Sequence, residues 1–504
     1  MSVAPSRRER AAHALSWLAV ALLVVVDGAM VAQFLVVSLG RMTYPFELEW
    51  FEGLTIDYAW RIAHGLAIYG PPDASFAARH YPPLYYLVAL PFLAATGWRL
   101  LGARLASWLA VVGSGVVMAR LVRRSGGPWP AALFALGSAA MFYPATGYWY
   151  DLGRVDAVAT FFAVAGVATL ATNGTRGRVW LTAALLVCAA LTKQTTVLLA
   201  AVALAYLAVA RDWVRLRTLG LALAVLLATS VALLWIWTGG WIVQVYTIAR
   251  RHYTSFDAFP DLGALLTGML PVLAVAAAGA ARPATRFVLV ETVAAVAIAA
   301  ISIAKVGGEL NSAMPAVFLC ATAGGIGAGD VWRALGGSAL RRSLRTVGVL
   351  VLAVAPVWYG GLSRDALGWV PSAEDRREAD ALWEDMRTLD GDFLAYNYSF
   401  ASTVLRGHTY PYGDPLYDHA GGFDTETFHA PVLARYPQDF LDAIRQRRYA
   451  AIYTNGYIQL NDPIEYLIRE RYVPLRSFGR PEYTPGTPRW RMATPRVKWV
   501  PRPE

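Results

Sequence analysis

The ten residues Tyr44-Pro-Phe-Glu47-Leu-Glu49-Trp-Phe-Glu52-Gly53 place three carboxylates within six positions, directly after a long apolar run. Ionisable groups at the mouth of a hydrophobic segment are costly and mark sites that bind or catalyse. Glu49 and Glu52 are three apart, so a helix would carry both on one face, flanked by Trp50, Phe51 and Gly53. Glu47 and Asp57, each taken alone, read as solvated loop acids. Cations recur at comparable boundaries: Arg79-His80-Tyr81-Pro-Pro, Arg154-Val-Asp156, Lys193-Gln-Thr, Arg250-Arg251-His252, and Lys305-Val-Gly-Gly-Glu309-Leu-Asn311. Such a set suits transfer of a sugar from a lipid-linked phosphate. A carboxylate takes the proton of an acceptor hydroxyl as that oxygen attacks the sugar carbon. The leaving phosphate needs no general acid, only cations or a divalent metal to stabilise its growing charge. A single base with in-line displacement inverts the anomeric centre.

Lysine usage sharpens this. Only Lys193, Lys305 and Lys498 are lysines, and the other 42 of the 45 basic residues are arginine. Two of the three lysines nonetheless sit at membrane boundaries, and an ammonium is a compact point charge suited to phosphate. The plainer alternative is that they snorkel at helix ends. Asp156 likewise reads either as a site acid or as a helix cap. His80-Tyr-Pro-Pro also serves as a rigid start to a helix, since proline is tolerated in a first turn. Asp27, inside the first apolar run, has no partner visible in the sequence.

The elements that position these residues follow from composition. In 504 residues, 56% are hydrophobic and 16% charged, and the mean hydropathy is +0.41; this excludes an ordinary soluble domain. Apolar runs long enough to cross ~30 Å of hydrocarbon recur. The first, after Arg7-Arg8-Glu9-Arg10, is too long for a signal-peptide core and reads as a retained span. Arginine clusters at 120–124, 176–178, 211–217, 282–286 and 333–345, if all cytoplasmic, predict about eleven transmembrane helices. These fall at 14–38, 99–120, 129–147, 154–172, 179–192, 195–210, 218–238, 262–280, 286–304, 312–330 and 344–361. Tyr81–Gly97 is left as a juxtamembrane helix, and the short pair 179–192 and 195–210 as a broken hairpin.

This weave makes the N-terminus cytoplasmic and gathers the acidic and cationic segments of the candidate site on the extracytoplasmic side, at a bacterial inner or plasma membrane. Residues 1–361 form the membrane module, with a first outer loop at about 39–98, and residues 362–504 a small extracytoplasmic α/β domain. In that domain, helices are expected at Arg376–Leu389 and Pro431–Arg448, and strands at Asp392–Tyr398, Tyr449–Asn455, Tyr472–Phe478 and Trp490–Ala493. The net charge of +10 belongs to the membrane half as positive-inside signal and needs no nucleic acid. The two cysteines, Cys188 and Cys320, lie inside spans, so there is no disulfide framework.

The ordered set Glu49-Trp-Phe-Glu52-Gly, Tyr81-Pro-Pro-Leu-Tyr-Tyr, Arg154-Val-Asp156, Lys193-Gln-Thr and Lys305-Val-Gly-Gly-x-x-Asn311 resembles the GT-C superfamily of integral-membrane glycosyltransferases. It looks most like the family 39-like members, related to protein O-mannosyltransferases, aminoarabinose transferases and the galacturonosyltransferase-like group. The resemblance spans about residues 14–361. It implies a polyprenyl-phosphate-sugar donor drawn from the membrane lipid and an extracytoplasmic glycan, lipid or protein acceptor. Carried over residue by residue, the catalytic acids fall on Glu49, Glu52 and Asp156, with Glu49 the favoured base. The phosphate-binding Lys falls on Lys193 or Lys305; beside the resemblance, Arg154, Arg251 and His80 are candidates for the donor phosphate, and Tyr81, Tyr150 and Asn311 for sugar contacts. A divalent cation, magnesium or manganese, would sit on Glu52 and Asp156. Two departures stand out: the relatives usually carry Asp in the acidic pair, and a Lys before the Pro-Pro segment where this chain has Arg79 and His80.

Two rival classes share the composition. A lipid-linked-sugar transporter or flippase would place its charges at the bilayer midplane on broken helices, with inverted repeats; no repeat is visible here. A polysaccharide polymerase or ligase would concentrate its key residues in one long outer loop.

Overall fold

A computed structural model describes residues 7–172, 175–334, 346–350, 364–396, 398–421, 435–454, 463–478 and 495–503. Thirteen helices carry the N-terminal part: α1 Arg7–Arg41, α2 Glu52–Ala63, α3 Leu84–Ala95, α4 Leu100–Arg124, α5 Trp129–Met141, α6 Val155–Ala171, α7 Arg176–Thr192, α8 Val197–Val209, α9 Trp213–Thr238, α10 Gln244–Arg251, α11 Phe259–Ala278, α12 Pro283–Ile303 and α13 Met314–Ala334. Six of them (α1, α4, α9, α11, α12 and α13) are long and apolar enough to cross a bilayer, and the chain is an integral membrane protein. Ten of the eleven expected spans coincide with helices, but α5, α6, α7 and α8 are shorter than a full crossing, and 344–361 lies mostly outside the described residues. At 12 residues α3 is too short to cross, as expected of a juxtamembrane helix. The break between α7 and α8 falls on Lys193, whose φ of −143° and ψ of 108° are extended rather than helical.

The bundle is organised around α13, whose apolar stretch is 94% buried. Its run Ala323-Gly-Gly-Ile-Gly-Ala-Gly329 explains why. A Cβ on Gly327 would lie 2.3 Å from the carbonyl oxygen of Val275, and one on Gly324 2.5 Å from Val272, so α11 approaches to backbone contact. Gly325 faces Ala135 of α5 in the same way. Small residues permit such contact, which must replace the hydrophobic drive that lipid removes. Asp27 of α1 is buried against Gly137 of α5, and neither of its carboxylate oxygens has a hydrogen-bond partner.

Beyond the membrane helices, helix Ala373–Thr388 opens with a capping box between Ser372 and Asp375. Four strands follow: β1 Phe393–Ala395, β2 Ala451–Thr454, β3 Tyr472–Ser477 and β4 Val497–Pro501. They form a sheet in the order β1-β2-β4-β3, with β1 parallel to β2 and the other pairs antiparallel. Three strands fall where expected; β4 was not foreseen, and Trp490–Ala493 lies outside the described residues. Short helices Phe400–Arg406, Gly413–His419, Gln438–Arg445 and Pro463–Arg471 complete this part.

The C-terminal part is not insulated from the rest. A single hydrophobic cluster runs from the membrane helices through Tyr44, Phe46 and Leu54 into Leu382, Phe393, Phe400 and Tyr412. Gly53 makes the junction possible, since a Cβ there would sit 2.2 Å from Phe400 and 2.3 Å from the Tyr412 hydroxyl.

Candidate active site

The acidic segment after α1 is held by an arginine that sequence reasoning missed. Arg104 of α4, fully buried, donates to the carbonyls of Tyr44 and Phe46, both at 2.6 Å, and to both oxygens of Glu52, at 3.1 and 2.8 Å. Glu52 also accepts from the amides of Leu48 and Gly153, each at 2.7 Å. It has no exposure, and its contacts tie the segment after α1 to α4 and to the turn before α6. Glu52, expected as a site acid and metal ligand, has its carboxylate engaged in this buried ion pair and does not line the cavity described below. Asp151 is engaged in the same manner by Arg41, at 2.5 Å.

Glu47 and Asp57, expected to be solvated, are fully buried at the seam with the C-terminal part. Glu47 accepts from the Tyr412 hydroxyl at 2.5 Å and the Gly53 amide at 2.7 Å, yet burial pushes its carboxyl well above the usual range. Asp57 accepts from Ser399 and Thr403, and burial raises it to about 7 against those hydrogen bonds.

Glu49 has a different fate. The residue after next, Phe51, adopts φ 79°, a left-handed conformation rare for a bulky side chain. The strained turn separates the two glutamates, so Glu52 goes inward and Glu49 lines a cavity of about 710 Å³. Arg154 donates to Glu49 Oε2 at 2.6 Å and to the Trp50 carbonyl at 2.7 Å. Phe51, Trp149 and Tyr81 present ring faces to this guanidinium at 5.2, 5.0 and 6.0 Å, and Arg79 lies over the Phe51 ring at 4.2 Å.

The same cavity is lined by His80, Lys193, Arg250, Lys305 and Asn311. Lys193, at the α7–α8 break, donates to Asp156 Oδ1 at 2.7 Å and to Ser312 Oγ at 3.2 Å. Asp156 thus holds the lysine in place and is not itself part of the lining. Lys305 donates to the His252 carbonyl at 2.8 Å, an arrangement set by the bridge between Thr254 and Lys305. Arg251 is likewise absent from the lining, where its neighbour Arg250 appears. Tyr150 lies beneath the site, its hydroxyl on the Ala139 carbonyl at 2.9 Å. Five arginines and lysines (Arg79, Arg154, Lys193, Arg250 and Lys305) face three acids (Glu49, Glu309 and Asp414), so the cavity suits an anion.

One wall comes from the C-terminal part. Asp418, in helix Gly413–His419, approaches His252 Nε2 at 2.5 Å, Arg79 at 3.6 Å and His80 Nδ1 at 3.7 Å. The ligand atoms of His80, His252 and Asp418 all lie within 4.8 Å of one another, the metal-capable cluster among the described residues. Burial lowers His80 to about 4, so the imidazole is neutral with its lone pair available, and His80 Nδ1 and Asp418 Oδ2 have no hydrogen-bond partner. Burial opposes ionisation of Asp418, but the hydrogen bond with His252 and the proximity of His80 and of the Arg79 charge hold it below the usual carboxylate range. Two imidazoles and a carboxylate favour zinc or manganese over magnesium. Nothing in the spacing of 80, 252 and 418 announces this cluster.

Two crystal structures of ArnT from Cupriavidus metallidurans share the architecture, each over 93% of this chain and 97% of the other. The one bound to undecaprenyl phosphate has a TM-score of 0.59 at 15% identity, and the apo one 0.54 at 18%. The apo oligosaccharyltransferase of Archaeoglobus fulgidus superposes with a TM-score of 0.51 at 11% identity, over 86% of this chain and 69% of that one. No protein-family model and no curated protein sequence matches the chain. At such identities the likeness is one of fold. The chain has the fold of these ArnT and oligosaccharyltransferase structures, in line with the resemblance read from its sequence.

Proposed function

We propose that this protein is a glycosyltransferase that moves a sugar from a polyprenyl-phosphate-linked donor to the hydroxyl of an extracytoplasmic glycan, lipid or protein. The observation that carries the reading is Glu49, held by Arg154 in a cavity where five arginines and lysines outnumber three acids. Support for a lipid-phosphate donor comes from the ArnT structure of the same fold, which binds undecaprenyl phosphate.

In this reading Glu49 accepts the acceptor's O–H proton while that oxygen bonds to the anomeric carbon. The carbon–oxygen bond to phosphate breaks, its electron pair leaves with the polyprenyl phosphate, and the single displacement inverts the centre. Arg154, Lys193 and Lys305 stabilise the phosphate charge as it grows, Lys193 being aimed by Asp156. Arg154 serves both Glu49 and the phosphate, which couples base position to donor binding. A divalent metal bound by His80, His252 and Asp418 would add further positive charge at this wall. The lipid enters from the outer leaflet, with residues 1–361 forming the membrane module and 362–504 covering it from outside.

The test is direct. Protein purified in mild detergent is extracted and its lipids identified by mass spectrometry, and then supplied with a synthetic polyprenyl-phosphate sugar. A bound polyprenyl phosphate and release of free polyprenyl phosphate on adding acceptor are expected. Transport of intact donor into vesicles without any such release would overturn the reading in favour of a flippase.

A further inference from the structure

A second hollow lies at the opposite ends of the same helices. α6 begins beside Arg154 at the cavity and ends at Ala171, 17 residues on and roughly 25 Å away. There a hollow of about 220 Å³ opens between α4, α6 and α7, lined by Arg120, Arg124 and Arg178 together with the apolar Leu121, Ala168 and Leu181. No carboxylate lines it.

The three guanidiniums lack the partners that several other arginines of this face have. Arg215 pairs with Asp212 at 2.5 Å, Arg282 and Arg333 both pair with Asp330, and Arg123 stacks over Trp129 at 4.8 Å. Arg120, Arg124 and Arg178 form no ion pair with any described carboxylate. Two of their placements are intrinsically unfavourable. Arg120 and Arg124 are four apart on α4, where like charges repel. Arg178 lies in the first turn of α7, beside Arg176, at the positive end of the helix dipole, with no acidic residue in that turn and no side-chain cap. Only Arg124, at the carbonyl end of α4, has a dipole in its favour. A bound anion relieves all of these at once.

We propose that this hollow binds the phosphate headgroup of an anionic membrane phospholipid, on the face opposite the transfer cavity. Basic hollows between membrane helices recognise anionic headgroups by charge. The apolar lining suits the glycerol end of a lipid better than a free ion.

Delipidated full-length protein in neutral detergent provides the test, by thermal unfolding with added phosphatidylglycerol, phosphatidylcholine or inorganic phosphate. Phosphatidylglycerol should raise the midpoint by several degrees, because a ligand that binds only the folded state stabilises it by mass action. Phosphatidylcholine should not. The double variant Arg120→Gln, Arg178→Gln should lose the shift, while Arg123→Gln, outside the hollow, should keep it. An equal shift with inorganic phosphate, lost in the same double variant, would retain the phosphate site and make a free anion its source. A phosphatidylglycerol shift undiminished in the double variant, or absent in wild type, would overturn the proposal.

Discussion

Glu49 and Glu52 are chemically identical, three residues apart, and each salt-bridged to an arginine, yet only one faces the cavity. Glu49→Gln should therefore fold normally and lose transfer on the order of 100-fold or more, as expected for a base. Glu52→Gln should act on stability instead, because Arg104 is left buried without its countercharge, a loss of about 3–5 kcal/mol. A reversed pattern, with melting lowered only by Glu49→Gln, would exchange the two roles. Lys193→Met should weaken donor binding and turnover together, and Lys193→Arg should rescue only in part, since a planar fork does not replace a point charge. Full activity in a Lys193→Met, Lys305→Met double mutant would leave the phosphate to Arg154 and Arg250. Asp57 adds a pH signature. Its folded pKa, about 7, exceeds the unfolded 3.8, so the folded state binds the extra proton and stability falls as pH rises between these values. Asp57→Asn should flatten the dependence of the melting midpoint on pH between pH 4 and 7; an unchanged slope would mean that another group titrates there.

At the scale of elements, close approach rather than hydrophobic drive holds the assembly. Gly327→Ala places a methyl 2.3 Å from a backbone carbonyl of α11, which no side-chain rotation relieves, so α11 and α13 must separate. Loss of folded protein is expected, measured as the monodisperse fraction on size exclusion. Gly28, with nothing within 4 Å of its virtual Cβ, should accept alanine freely and serves as the control. Gly53→Ala tests the other junction, where α2 meets helix Phe400–Arg406. It should loosen the C-terminal part and expose it to limited proteolysis while the membrane helices stay assembled. Unaltered cleavage would show that the seam has room to spare.

The whole molecule brings together groups that are remote in sequence. His80, His252 and Asp418 come from the segment between α2 and α3, the segment after α10 and the C-terminal part. If a metal rests there, elemental analysis of purified protein should detect zinc or manganese near stoichiometry, and Asp418→Asn or His80→Ala should lower it severalfold. A full metal complement in both variants would place the ion elsewhere. Sidedness is tested in a background lacking Cys188 and Cys320, with cysteines introduced at the exposed positions Arg123 and Ala145. Impermeant thiol reagents should reach them from opposite sides of the membrane. Labelling of both from one side would undo the common outer face on which the proposed reaction depends.

Apolar runs, proline placement and the scarcity of lysine are properties of the chain itself, and they foreshadowed the membrane helices, the juxtamembrane α3, the break at Lys193 and the cations of the cavity. Each depends on neighbours within about one helical turn or on transfer into lipid, which acts on a segment independently of its partners. Burial of a particular carboxylate depends instead on what lies opposite. Glu52 is structural because Arg104 reaches it from α4, and Glu47 and Asp57 are buried because Tyr412, Ser399 and Thr403 cover them from more than 340 residues away. The cluster of His80, His252 and Asp418 exists only once three segments meet. Local periodicity carries no information about such encounters, so which acid faces the cavity was a decision of the tertiary structure.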